Sequence, residues 1–326
     1  MSTTKDKAES VQVDGESVRF TNTTKVLYPE TGTTKADVLD YYLRIAPVMV
    51  PQTMWRPATR KRWVNGVGTE EKPGDVFWIK ALERGAPSWV PTVQIEHRER
   101  TNTYPLVNNA AVLAWFSQLS VLETHVPQWG VSPSGQILNP DKMVFDLDPG
   151  PGVDLRQTAS LALIIKDRFA ARRLKTYPVT SGSKGIHIYV PLSGEATSEQ
   201  ANAEAKRFAQ ELETEMPDLV VSKQSRELRA GKILVDWSQN NRAKSTIAPY
   251  SLRGKLRPMV AAPRTWEEIA SPDLTQLDYR EVLARVEAGM NPIAALAWSG
   301  KALPARLKTR KTAEPRAQIA EDRPKS

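Results

Sequence analysis

The chain has 326 residues, 45 Lys/Arg against 37 Asp/Glu, and a formal net charge of +8. That length suits one large or two ordinary domains, and the basic balance suits a polyanionic partner without requiring one. The absence of cysteine and the presence of only three histidines (His97, His125, His187) exclude disulfides, thiolate–metal sites and histidine-rich metal centres.

Met1 to Ser17 is polar with mixed charge and no 18-residue apolar stretch occurs, so a soluble cytoplasmic protein with no membrane partner is expected. Residues 1–17 read as a flexible N-terminal arm and 18–297 as a globular catalytic domain. Residues 298–326 read as a basic tail, expected to be disordered: Lys301 to Ser326 holds eight Lys/Arg and three Asp/Glu. Helical periodicity covers 35–50 and 110–122, then 154–174 and 198–216, the last opening on Ser198 as an N-cap. Apolar runs at 142–147, 176–180, 186–192 and 232–237 read as strands. Helices and strands interleave without a strict βαβ repeat, so the expected fold is α+β with a mixed or antiparallel central sheet flanked by helices.

Three motifs carry chemistry. In Met143-Val144-Phe145-Asp146-Leu147-Asp148 a strand places Asp146 and Asp148 on one face, where Pro149 and Gly150 end it. Two adjacent carboxylates repel unless a cation lies between them, and oxygen-only ligands favour Mg²⁺ or Mn²⁺ over zinc. The second motif, Ser181 to His187, is a Ser/Gly/Lys loop between two strands. Its glycines let backbone N–H groups approach a phosphate, and Ser181, Lys184 and His187 add a hydroxyl, a charge and a donor. It lacks Walker A spacing, and an ordinary hairpin turn has the same composition. In the third motif a strand ends in Asp236, a third carboxylate suited to a two-metal site, with Gln239, Lys244 and Arg253 beyond it to reach a triphosphate.

Together with 25–35, 56–63 and 122–129, these motifs resemble the polymerase domain of bacterial ATP-dependent DNA ligase D, closest to mycobacterium-like members. The resemblance runs in order from about Val18 to Ala284. It implies an archaeo-eukaryotic primase-type core and a template-dependent nucleotidyltransferase that fills short gaps at DNA ends in non-homologous end joining, favouring ribonucleotides. Asp146, Asp148 and Asp236 would be the catalytic, metal-holding acids for two Mn²⁺ or Mg²⁺ ions. Lys61, His125, Ser181, Lys184, His187, Gln239 and Arg253 would contact the nucleoside triphosphate. Lys25 and Lys35 would hold a downstream 5′-phosphate, Phe77 and Trp78 would stack on template bases, and Arg229 would help to place the primer. The implied partners are DNA with gaps or 3′-overhangs, Ku and a separate DNA ligase, in the cytoplasm at the nucleoid.

Two departures stand out. Trp78 replaces the usual Phe behind a short insertion at 70–75, and no ligase Lys-x-Asp-Gly signature or nuclease domain is present, as expected of a stand-alone polymerase or an excised domain. Other functions compatible with the residues are a glycosyltransferase using Asp-x-Asp, a non-catalytic DNA-end bridging module, and a primase-polymerase of other DNA repair.

Overall fold

A computed structural model describes residues 8–97 and 99–298. The chain opens with a hairpin, β1 (Glu9–Val13) and β2 (Glu16–Phe20), so the loose arm expected over 1–17 is ordered from Glu9. Val13, Val18 and Phe20 bury their side chains in the main core, which explains the order. Next come β3 (Val26–Tyr28), β4 (Thr33–Thr34) and α1 (Lys35–Thr53), started by a capping box between Thr34 and Asp37. Strands β5 (Thr59–Arg62) and β6 (Phe77–Ile79) precede a separate hairpin, β7 (Thr92–Glu96) and β8 (Thr101–Pro105).

Helix α2 (Ala110–Gln118) stops short of the expected 122. Ser120 adopts φ 57°, turning the chain, and β9 (Val121–Val126) begins at once. A small pair, β10 (Trp129–Val131) and β11 (Ile137–Pro140), leads into β12 (Lys142–Pro149) and α3 (Leu155–Ala171). Strands β13 (Tyr177–Thr180) and β14 (Ile186–Pro191), α4 (Ser198–Glu215), β15 (Val220–Val221) and β16 (Ile233–Asp236) follow. The described chain ends with β17 (Thr246–Ile247), β18 (Ala262–Pro263), α5 (Trp266–Ala270) and α6 (Tyr279–Glu287).

Two sheets organise the molecule. One is six-stranded, β15-β16-β12-β14-β13-β18, antiparallel except for β15–β16; the other is four-stranded and antiparallel, β17-β9-β5-β6. This is the expected α+β arrangement. Met143, Phe145 and Leu147 of β12 point into a core with α3 and α4, where the rings of Phe145, Phe169 and Phe208 lie 4.7–5.6 Å apart. Burying each such ring contributes about 2–3 kcal/mol. The alternate residues Val144, Asp146 and Asp148 face the other way, towards the main core and the cleft beside it. Among the described residues no helix is long and apolar enough to cross a membrane. The expected tail lies outside the described residues, apart from Trp298, whose ring stacks on the Arg56 guanidinium at 5.3 Å.

Candidate active site

The sheet register brings the acids together. Asp146 lies opposite Asp236 on β16 and opposite His187 on β14, so all three stand in one cross-strand row. Asp148, two residues along, shares their face. Asp236 is fixed by the turn it caps: its Oδ1 accepts from the Ser238 N–H at 2.9 Å and its Oδ2 from Gln239 Nε2 at 2.8 Å. Asn240 then locks this turn onto β12 by bonding both backbone groups of Val144. Gln239, expected at the triphosphate, therefore holds an acid, and Lys244 reaches the same turn through the Ser238 hydroxyl.

The acids open into a cleft of about 270 Å³ lined by Asp146, Asp148, Ser181, Ser183, Lys184, His187, Arg229 and Arg253. The Ser181–Gly185 loop forms one wall. Gly182 has φ 68°, and a Cβ on Gly185 would meet the Leu147 carbonyl oxygen at 2.2 Å, so the loop presses on β12 as only glycine allows. The amides of Ser181, Gly182, Ser183 and Gly185 are already engaged within the protein. Ser181 Oγ accepts from the N–H groups of Ser183 and Gly185, and the Gln276 side chain takes the N–H of Gly182. What the loop offers the cleft is Lys184, exposed and flanking the acids. His187 faces the acids rather than open space, with Nε2 at 3.2 Å from Asp146 Oδ1.

A second array stands on the four-stranded sheet. Lys61 pairs in register with Trp78 and with Glu123, and His125 is two residues from Glu123, so all four project from one face. Glu123, 1% exposed, gathers the cations. Its Oε2 lies 2.9 Å from His125 Nε2 and 3.1 Å from Lys61 Nζ, while its Oε1 lies 3.3 Å from Arg253 Nε. Burial opposes its ionisation, yet the His125 hydrogen bond and the charges of Arg253 and Lys61 hold its carboxyl well below the usual range. The Lys61 ammonium sits 4.8 Å from the Trp78 ring and the His125 ring 5.1 Å from it. Burial pushes His125 down, and Glu123 only partly offsets this.

Arg253 joins the two arrays, since its Nη1 also donates to the Ser181 carbonyl at 3.1 Å. Sequence reasoning included Glu123 in the 122–129 motif but gave it no role, because its partners Lys61 and Arg253 lie far away in the chain. It missed Lys255, whose ammonium is pushed down by burial and by the nearby charges of Arg253, Lys61 and Lys184.

Lys25 and Lys35 form a separate pair across β3–β4, where the Lys35 N–H donates to the Lys25 carbonyl. Lys25 Nζ bonds Asn65, and Lys35 Nζ bonds the Thr21 carbonyl at 2.9 Å. Burial and then the Lys25 and Arg62 charges push Lys35 down to about 8. Phe77 is in register with Arg62, one residue from Lys61, so Phe77 and Trp78 leave β6 on opposite faces instead of forming one platform. Both rings are at least half exposed, at 50% and 58%. Arg229 lines the acidic cleft, its guanidinium held by the carbonyl and side chain of Gln224.

The acids suit a hard cation electrostatically. Burial and then the Asp146 charge push Asp148 up to about 7, with Asp236 adding to the effect. Against the cost of burial, the charge and hydrogen bond of His187, then Arg253 and Arg229, keep Asp146 below the carboxylate range. Crowded, buried carboxylates are the donor set that Mg²⁺ or Mn²⁺ takes. With Asp236 engaged by its own turn, the described residues contain no closed cluster of three such ligands.

The family model described as LigD, primase-polymerase domain, matches residues 34–293. The chain belongs to this family. It is 52% identical over 273 residues to the multifunctional non-homologous end joining protein LigD of Mycolicibacterium smegmatis, covering 83% of this chain and 35% of that protein. Identity to the bifunctional non-homologous end joining protein LigD of Bacillus subtilis is 26% over 255 residues, covering 78% of this chain and 40% of that one. The chain thus spans well under half the length of these LigD relatives. Among solved structures, the polymerase domain of Mycobacterium tuberculosis ligase D in complex with DNA matches with a TM-score of 0.80 at 50% identity, covering 86% of this chain and 97% of that one. The primase-polymerase fold expected from the motifs is therefore the fold of this LigD family member.

Proposed function

We propose that this chain is a template-directed nucleotidyltransferase that fills short gaps at DNA ends during non-homologous end joining. Its substrates are nucleoside triphosphates, ribonucleotides preferred, and DNA with gaps or 3′-overhangs and a 5′-phosphate. The observation that carries this reading is the single cleft in which Asp146 and Asp148 face Lys184, Arg229 and Arg253. A carboxylate pair opposite a cation array is what transfer of a nucleotidyl group from a triphosphate demands.

In the reaction the primer 3′-oxygen bonds to the α-phosphorus and the bond to the bridging oxygen breaks, releasing pyrophosphate. Lys184 and Arg253 offset the charge that gathers on the leaving phosphates, and Lys61 and His125 bind the rest of the nucleotide. Asp146, Asp148 and Asp236 would hold two Mn²⁺ or Mg²⁺ ions, whose chemistry is to acidify the 3′-hydroxyl and steady the leaving group. Lys25 and Lys35 take the downstream 5′-phosphate as point charges, Phe77 meets an unstacked base, and Arg229 orders the primer end beside the acids. Ku and a separate ligase are the expected collaborators in the cytoplasm, at the nucleoid.

The test is extension of gapped DNA with Mn²⁺, with or without a downstream 5′-phosphate, using ribo- and deoxyribonucleotides. Templated addition stimulated by the phosphate is expected, with D146A and D148A losing extension but keeping DNA affinity. Extension by either variant would refute the metal assignment. No addition by the wild type would leave a DNA-end bridging module, and addition indifferent to the phosphate would point to another repair pathway.

A further inference from the structure

We infer that Glu123 is a positioning residue that holds Lys61, His125 and Arg253 where they meet the incoming nucleotide. The inference rests on the nucleotide-binding role proposed for those three residues.

Glu123 sits on β9 with its carboxylate 1% exposed, and it serves groups from three segments of the chain. Lys61 comes from β5, His125 from β9 itself, and Arg253 from the segment after β17. The Gly254 N–H completes the set, donating to Oε1 at 3.1 Å. Arg253 carries the constraint across to the other sheet, through its bond to the Ser181 carbonyl and its place on the acidic cleft. Glu123 therefore ties the loop beside the acids to the strand that bears Lys61.

As a stabiliser a buried carboxylate is weak, because desolvation cancels most of the attraction it gains. Its effect here is geometric. Lys61 is fixed on three sides by Glu123 and the rings of Trp78 and Trp63, the last at 5.1 Å. His125 turns Nε2 to the carboxylate, which leaves Nδ1 as the ring's other polar atom. Without the carboxylate, Lys61, His125 and Arg253 lose a common anchor, and the two cations Lys61 and Arg253 repel one another. Simple electrostatics predicts the opposite sign, since removing a negative charge near a triphosphate would strengthen its binding. The two accounts are therefore separable.

The experiment is steady-state extension of gapped DNA by E123Q and E123D, with thermal midpoints and gapped-DNA affinity measured alongside. Positioning predicts a KM for ATP raised about tenfold or more with kcat within about threefold, and DNA affinity unchanged. E123D, which keeps the charge but falls short of its partners, should lie between E123Q and wild type. In a double-mutant cycle E123Q and K61A should be non-additive in KM. An unchanged or lowered KM in a folded variant would overturn the inference, as would failure of both variants to fold. K61A and R253A run in parallel separate the two ideas. If they raise KM and E123Q does not, only the role of Glu123 falls; if they too leave KM unchanged, the nucleotide site itself is misassigned.

Discussion

Asp146 and Asp236 are directly opposed across the β12–β16 ladder. Opposed like charges destabilise a sheet, and Asp148 adds a third carboxylate to the same face. The strain is relieved in part by a proton on Asp148, whose carboxyl is pushed up to about 7. A divalent cation must displace that proton. Mn²⁺ affinity, measured calorimetrically, should therefore weaken below about pH 7, by about tenfold for each further unit, and D148N should flatten the profile. The sign reverses for the protein without metal. The folded chain holds this proton more tightly than the unfolded one, so Asp148 favours folding progressively as pH falls from about 7 towards 4. A Mn²⁺ affinity that is flat between pH 6 and 8 would contradict this account.

Lys35 titrates in the other direction. With its ammonium pushed down to about 8, between the Lys25 and Arg62 charges, it loses its proton near the top of the physiological range. Affinity for DNA with a downstream 5′-phosphate should fall as pH rises through about 8, while affinity for the same DNA without the phosphate stays flat. K35R, which keeps its charge, should abolish the dependence. Folding responds oppositely: the buried charge costs stability below about pH 8, and that cost fades as pH rises towards 10.5. Equal pH profiles for the two DNAs would remove Lys35 from the phosphate site.

Trp78 and Phe77 should behave as residues of two different sites. Trp78 packs against His125 and the Lys61 ammonium, so W78A should raise the nucleotide KM several-fold, on the order of 1 kcal/mol of lost cation–π and ring contact. F77A should leave that KM alone and weaken gapped-DNA binding by about fivefold to a hundredfold, from a lost base-stacking contact of about 1–3 kcal/mol. If both variants change the same parameter, the two rings work as one platform after all.

The acids were legible in the sequence because a strand's two-residue period fixes which side chains share a face, and Asp146, Asp148 and Asp236 all end apolar runs. Glu123 stood in the 122–129 motif without a role, because Lys61 and Arg253, the partners that give it one, are far from it in the chain. The helix read to 122 ends earlier, where the positive φ at Ser120 turns the chain into β9. The Ser181 loop was read by composition as a phosphate cradle. The amides of Gly182, Ser183 and Gly185 are instead taken by Ser181 and by Gln276, the latter too distant in the chain for any local pattern to show. Gln239 was read as reaching a triphosphate; its amide here bonds the acid three residues before it, an equally good use of the same side chain.

The β5–β6 register also decides which changes of length this family member tolerates. Lys61 faces Trp78 and Arg62 faces Phe77, while residues 63–76 between them form a hairpin closed by a Gly68–Pro73 bridge. Extra residues at 70–75 extend the tip of that hairpin and leave the pairing untouched, so an insertion there changes neither compartment. One residue added within β6 itself would exchange the two faces, carrying the indole to the phosphate side and the phenyl ring to the nucleotide side. The length of this hairpin is thus free to change, but the parity of the strand that follows it is not.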